Sequence, residues 1–205
     1  MFLITLFFKK KIRKRGFTLV ELLVSVSIFS VITSIVLTSN NRFNSTIDLV
    51  NLAQDVALSI RKAQTFGLNS RANAGVFENE NGVVGYGVRL RTDTPTQYLF
   101  FVDLNASNTA NTGEVLEWFT VQGGNTVSKI CVNIIQSGSV SLGEHCSDEK
   151  TRIALNITYR RPNPEAVMRT NLGYADRGTI TVRSRNGIER EIVVTTSGQI
   201  SVLLP

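Results

Sequence analysis

Residues 17–38 read FTLVELLVSVSIFSVITSIVLT and hold a single charge, Glu21. A helix of that length rises about 33 Å, enough to cross the hydrocarbon core of a bilayer. The run ends in the polar step Asn40–Asn41–Arg42. Before it stand Lys9, Lys10, Lys11, Arg13, Lys14 and Arg15, with no acid among residues 1–16. A basic flank on one side and a near-neutral flank on the other orient a single span with residues 1–16 in the cytoplasm and the body outside. A secretory signal fits poorly, since its apolar core is shorter and its cleavage site follows that core. Here the candidate processing mark, Gly16, precedes it. Glu21 is the anomaly, because a carboxylate in a spanning helix costs about 2.5–3.5 kcal/mol on insertion scales and marks a functional site by default.

The basic flank also accounts for the net charge of the protein. The 205 residues carry 22 Lys+Arg against 16 Asp+Glu, a net +6. All of that excess lies in residues 1–16, which leaves residues 17–205 balanced at 16 against 16. Net basicity of a folded body, the usual footprint of a nucleic-acid binder, is thereby excluded. A hydrophobic content of 42% excludes wholesale disorder. One histidine and two cysteines cannot furnish most multi-ligand zinc sites. No P-loop motif and no internal repeat is present.

Beyond the apolar run, Ile47–Phe66 places Leu49, Leu52, Ala53, Val56, Ile60 and Ala63 on one helical stripe. This predicts one long helix from Phe17 to Phe66, apolar all round in its first half and one-sided in its second. Arg61 and Lys62 are expected in the last turn and Gly67 as the stop. From Ala74 the period changes to two. Strands are predicted at 83–90, 97–103, 114–121, 127–135, 152–159, 179–185, 189–195 and 199–203. Asn186–Gly187 signals a hairpin, and Pro162–Asn163–Pro164 a loop. The expected class is α+β, with the one-sided half of the helix packed on a mainly antiparallel β-domain. The expected organisation is a leader (1–16), a transmembrane and assembly helix (17–39), its amphipathic continuation and linker (40–73), and an exported β-rich domain (74–205).

Lys14–Arg15–Gly16–Phe17–Thr18–Leu19–Val20–Glu21 followed by an apolar helix resembles the class III signal of type IV pilins and pseudopilins. The resemblance implies cleavage between Gly16 and Phe17 by a prepilin peptidase, N-methylation of the new Phe17 amine, and a role for Glu21 in assembly. It implies an inner-membrane, single-pass protein with a periplasmic or extracellular domain, incorporated into a filament. The partners implied are other pilin or pseudopilin subunits and the inner-membrane assembly platform. A physical reason for Glu21 stands beside it: axially offset helices can bring the Glu21 of one subunit to a neighbour's Phe17 amine, so that each buried charge gains a partner. Ser27, Ser30, Ser34 and Thr38 share a helix face and either support close helix packing or bond back to their own carbonyls.

Major pilins often have a proline about 20 residues into the mature helix; here no proline precedes Pro95, which favours a minor subunit. The segment LSIRKAQTFGLNSRA (58–72), Gly85–Val88 with Leu99–Asn105, and the closing hairpin Gly178–Thr195 with Ser197–Ile200 resemble minor pseudopilins of the GspH/FimT type. The function this implies is that of a structural subunit, not an enzyme, in a type II secretion pseudopilus or a type IV pilus, with no cofactor and no metal. Two alternatives stand beside it: a FimT-like DNA-binding minor pilin for DNA uptake, and a membrane-anchored binding module that never polymerises.

The remaining candidates are few. Cys131 and Cys146 lie in the exported body, where one disulfide is the simplest reading; a redox or metal pair is the alternative, which the single His145 does not complete. Asp103–x–Asn105–x–Ser107 with Glu114 has the look of a calcium loop but lacks the glycine and the properly spaced terminal glutamate. A turn made of Asn, Ser and Thr, whose side chains bond their own backbone, is expected instead. Some FimT-like proteins bind DNA through a C-terminal Gly-Arg-x-Arg element; the matching stretch here, Gly198–Gln199–Ile200–Ser201, lacks both arginines. Arg183, Arg185 and Arg190 are the candidate DNA contacts that remain, diluted by Glu189 and Glu191.

Overall fold

A computed structural model describes residues 16–69, 84–136 and 140–203. Most of the leader, with its six basic residues, lies outside the described residues, as do Ser70–Ala72 of the 58–72 resemblance and Val83 of the first predicted strand. The protein divides into two compact units, one ending at Asn41 and one running from Arg42 to Pro205.

The described residues form one helix, α1 (Leu19–Asn69), and ten strands: β1 (Gly85–Arg91), β2 (Gln97–Asp103), β3 (Val115–Thr120), β4 (Thr126–Gln136), β5 (Val140–Cys146), β6 (Ala154–Arg160), β7 (Asn163–Thr170), β8 (Tyr174–Arg183), β9 (Glu189–Thr195) and β10 (Ile200–Leu203). The class is α+β, as expected. Every strand pairing is antiparallel. One ladder runs β3-β2-β1-β6-β7, continues into β8, β9 and β10, and carries β4 and β5 on the other side of β8. β7 and β8 share only the pairs Met168↔Ala175 and Arg169↔Tyr174. Gly178 of β8 faces Leu155 of β6 so closely that a Cβ there would lie 3.0 Å from Leu155 Cδ2.

Within the second unit, α1 supplies the stripe read from the sequence. Leu49, Ala53, Val56, Ile60 and Ala63 are fully buried and Leu52 nearly so. They share one core with Tyr86, Val88 and Leu90 of β1, Tyr98, Phe100 and Val102 of β2, and Leu155 and Ile157 of β6. Phe66 meets Tyr86 and Phe100 edge-on, each with ring centroids 5.7 Å apart.

The helix does not stop at Gly67 but continues to Asn69, with no basic residue in its last turn. Gly67 has a different task. A Cβ there would sit 2.4 Å from the Tyr159 carbonyl oxygen, so the glycine lets the helix backbone lie directly on β6. Lys62 instead donates to Glu117 of β3 at 2.7 Å and lies over the Phe100 ring.

Two strands depart from expectation. β7 begins at Asn163, where the sequence pattern predicts a loop. Only residues 161 and 162 form the turn, and Pro164 is tolerated because a strand's first residues need not donate to the ladder. β5 has no counterpart among the predicted strands either. Its neighbours in sequence are glycine and serine, and it exists through its register with β4. The β8–β9 hairpin is as signalled. Ser184 N–H donates to Ile188 O and Gly187 N–H to Ser184 O, with Gly187 at φ 80°, a conformation open to glycine at little cost.

Candidate functional site

The first unit presents the N-terminal element. Gly16, Phe17 and Thr18 precede α1, and the helix starts at Leu19. Thr18 is the N-cap. Its Oγ1 accepts the Glu21 N–H at 3.2 Å, while Glu21 Oε2 accepts from the Thr18 N–H at 3.4 Å and from the Thr18 hydroxyl at 3.2 Å. This reciprocal pair is a capping box, and the T-x-x-E spacing of Thr18 and Glu21 is its sequence signature. Glu21 thus has a partner within its own helix, a role that the pilin-like motif alone does not reveal. A Cβ at Gly16 would meet nothing within 4 Å, so no contact within the described residues demands glycine there.

The apolar part of the helix is bare. The apolar span Leu19–Leu37 has mean hydropathy 2.3 and none of it is buried. Its large apolar side chains, with Phe17, are 52–77% exposed. At about 1.5–3 kcal/mol for each such side chain taken out of water, this surface requires lipid or other helices. Ser27 and Ser25 turn their hydroxyls back to Leu23 O at 2.8 Å and Glu21 O at 2.7 Å. Back-bonding therefore accounts for Ser27, one member of the small polar face.

In the second unit, Cys131 and Cys146 are directly opposed on β4 and β5 with Cα atoms 3.9 Å apart and are joined by a disulfide. Glu144 brings a carboxylate within 4.8 Å of both sulfurs, but sulfurs held in an S–S bond offer no thiolate to a cation.

The 103–114 loop is closed by its own acids. Asp103 is fully buried; its Oδ1 accepts the Ser107 N–H and its Oδ2 the Asn108 N–H, each at 3.0 Å. Arg160 Nη2 donates to the same Oδ2 at 2.6 Å. Glu114, also buried, accepts from Leu104 N–H at 3.1 Å and Asn111 N–H at 2.9 Å. Both carboxylates are thus occupied by protein donors, and the loop is a turn organised by side chains, with Ser107 N–H also bonded to Asn105 Oδ1. The sequence signal for this role is a pair of acids bracketing ten uncharged residues, 104–113.

The three hairpin arginines are not brought together. Arg183 is paired with Glu189 at 2.7 Å. Arg190 is opposite Val182 in the ladder, so it points to the face away from Arg183. Its Nε and Nη1 are shielded from solvent with no hydrogen-bond partner among the described residues. Arg185 is exposed and lies against Gly124, where an added Cβ would stand 2.9 Å from its Nε.

Residues 11–37 match the prokaryotic N-terminal methylation motif. No curated protein and no solved structure matches the sequence. The motif, together with the bare apolar helix, supports a membrane-anchored, type IV pilin-like subunit of a pilus or pseudopilus. Such a subunit is structural rather than enzymatic, assembles with other pilin subunits and is processed by a prepilin peptidase.

Proposed function

We propose that this protein is a minor pilin or pseudopilin, cut between Gly16 and Phe17, methylated on the Phe17 amine, and built into a filament of a type II secretion or type IV pilus system. One observation carries the reading: Gly16, Phe17 and Glu21 stand in register at the mouth of an unburied apolar helix. Cleavage removes the six basic leader residues and leaves a positive amine at the edge of the apolar phase. In the filament the apolar surface of one α1 is covered by neighbouring helices. Glu21 then exchanges its capping contact for a neighbour's Phe17 amine, because either charge left alone in a poor solvent is costly. Subunits out of register would leave both charges unpaired, so the pair selects one axial offset. The 42–205 unit is displayed on the outside, where the disulfide is stable.

The test is to express the full-length protein with a prepilin peptidase and sequence the mature N-terminus. The expected terminus is N-methylated Phe17. Any other terminus overturns the proposal.

A further inference from the structure

The sheet face turned away from α1 carries an aligned row of side chains. Trp118 pairs with Leu99, Leu99 with Arg89, Arg89 with Asn156, and Asn156 with Arg169. Directly paired residues lie on one face of a sheet, so the row crosses β3, β2, β1, β6 and β7. The 103–114 loop folds onto this face. Ala110 packs on Leu99 and Phe101, Arg89 Nη1 donates to Ala110 O at 3.1 Å, and Arg169 donates to Ser107 O. The buried carboxylates of Asp103 and Glu114 hold the loop backbone at its two ends. Between the loop and Trp118 a cavity of about 430 Å³ remains open, a volume typical of sites for small ligands or a single anchoring residue.

Its charge is one-sided. Arg89 and Arg91 are the only charged residues that line it among the described residues. Arg91 is held by the Asp93 carboxylate through both Nε and Nη2. Arg89 has no carboxylate partner among the described residues, and its Nε is shielded and unbonded. Burial, reinforced by the Arg91 charge, lowers its pKa from the usual arginine value. Nη1 is taken by Ala110 O and Nε is shielded, so the donors left for a ligand are those of Nη2, in a cavity also lined by a largely exposed indole, Trp118 at 62%. A guanidinium with free donors matches a carboxylate, and an indole face offers an apolar platform.

We propose that this cavity binds a peptide carboxylate flanked by an apolar side chain, with the carboxylate on Arg89 and the apolar group against Trp118. The carboxylate is either the C-terminus of a peptide or an Asp/Glu side chain; both present the same fork to Arg89. A nucleic-acid strand fits less well. Phosphate tracking needs several free cations in a line, whereas Arg91 is paired with Asp93 and Arg169 does not line the cavity. Binding in this cavity does not depend on filament assembly.

Trp118 is the single tryptophan of the protein, so tryptophan fluorescence, excited selectively over the tyrosines, reports on this site in the full-length protein in detergent. Three small probes and an oligo-deoxythymidine separate the possibilities. N-acetyl-phenylalanine presents a terminal carboxylate, and N-acetyl-aspartyl-phenylalaninamide presents one on its aspartyl side group. N-acetyl-phenylalaninamide presents none and enters micelles at least as readily. A saturable change is expected with one or both carboxylate probes and none with the neutral amide. Arg89→Gln is expected to weaken binding at least tenfold, while Arg183→Gln leaves it unchanged. Equal responses to the carboxylate probes and the amide, or no response to either carboxylate, overturn the proposal. A salt-dependent response to oligo-deoxythymidine alone overturns it in favour of a nucleic-acid site. The acid-against-amide comparison needs no variant, so the test holds even if Arg89→Gln fails to fold.

Discussion

Glu21 caps its own helix in the structure and pairs with a neighbour's Phe17 amine in the proposed filament, and Glu21→Gln separates the two roles. In the structure it completes a capping box with Thr18 through contacts of 3.2–3.4 Å. Glutamine retains that function, since a capping box accepts either side chain at this position. Glu21→Ala removes the two exposed contacts of Oε2 but keeps the bond from the residue-21 N–H to Thr18 Oγ1, so its cost in helix stability is at most that of losing an N-cap side chain, about 0.5–2 kcal/mol. The helix is 51 residues long and is secured elsewhere by the buried stripe Leu49–Ala63. A frayed first turn therefore leaves the fold and membrane insertion intact. Removing the charge is a larger change if the carboxylate meets a neighbour's amine. An uncompensated buried charge costs about 3–5 kcal/mol, which is roughly 10²–10⁴-fold in subunit association at 1.4 kcal/mol per tenfold. The assay is incorporation of epitope-tagged variants into sheared filaments in the presence of the cognate assembly proteins, with cleavage monitored separately. Glu21→Gln and Glu21→Ala are both expected to be cleaved and stable but to be lost from the filament fraction, and Thr18→Ala to be incorporated. Wild-type incorporation of Glu21→Gln would refute the charge pair and leave Glu21 as a helix cap.

The other expectations concern the displayed unit. Gly67→Ala places a Cβ 2.4 Å from the Tyr159 carbonyl; overpacking of this kind costs about 1–3 kcal/mol, read as a lower denaturant midpoint, and a midpoint equal to wild type would contradict the close helix–strand contact. Replacing both Cys131 and Cys146 by serine opens a loop of 15-residue separation, with an expected loss of about 3 kcal/mol and the same effect in wild type under reductant. Tyr159 is buried with its hydroxyl unbonded among the described residues, and burial raises its pKa far above the usual tyrosine range. The folded state therefore holds the phenolic proton more tightly than the unfolded one, so stability falls as pH rises past about 10. Tyr159→Phe is expected to be neutral or stabilising at pH 7 and to flatten that alkaline limb in equilibrium unfolding; a clear loss at pH 7 would show that the hydroxyl has a partner. Asp93 shows the opposite sign, its pKa lowered chiefly by its hydrogen bond to Arg91. Its contribution is present above the ordinary carboxylate range and lost as pH falls, and Asp93→Asn should flatten the acid limb.

Elements with strong periodicity are legible in the sequence for a direct reason. The α1 stripe buries every residue that its 3.6-residue spacing selects, and β2 and β9 occupy the predicted residues because each is a short apolar run bounded by polar residues, β2 being buried on both faces. β5 and β7 are not legible, since their existence depends on partners distant in sequence. β5 is specified by the Cys131↔Cys146 register and β7 by its ladder with β6. Gly67 has the look of a helix end because local rules favour glycine there, whereas the β6 backbone determines it. At the candidate sites the pattern repeats. Gly16, Phe17 and Glu21 fall within one six-residue stretch, 16–21, that the sequence displays openly. The Arg89–Trp118 cavity joins residues from three strands and a loop, and only the pairing register brings them together. Arg183 and Arg190 suggest a patch by proximity in sequence, yet the two-residue period of a strand sends them to opposite faces.

Processing at Gly16–Phe17 is the premise of the filament reading, and mass spectrometry of the N-terminal peptide tests it directly. With the full-length protein produced beside an active prepilin peptidase, the expected peptide begins with N-methylated Phe17 and contains none of residues 1–16. A protein that keeps its leader under those conditions, or one cut on the far side of the apolar helix after residue 37, would contradict it.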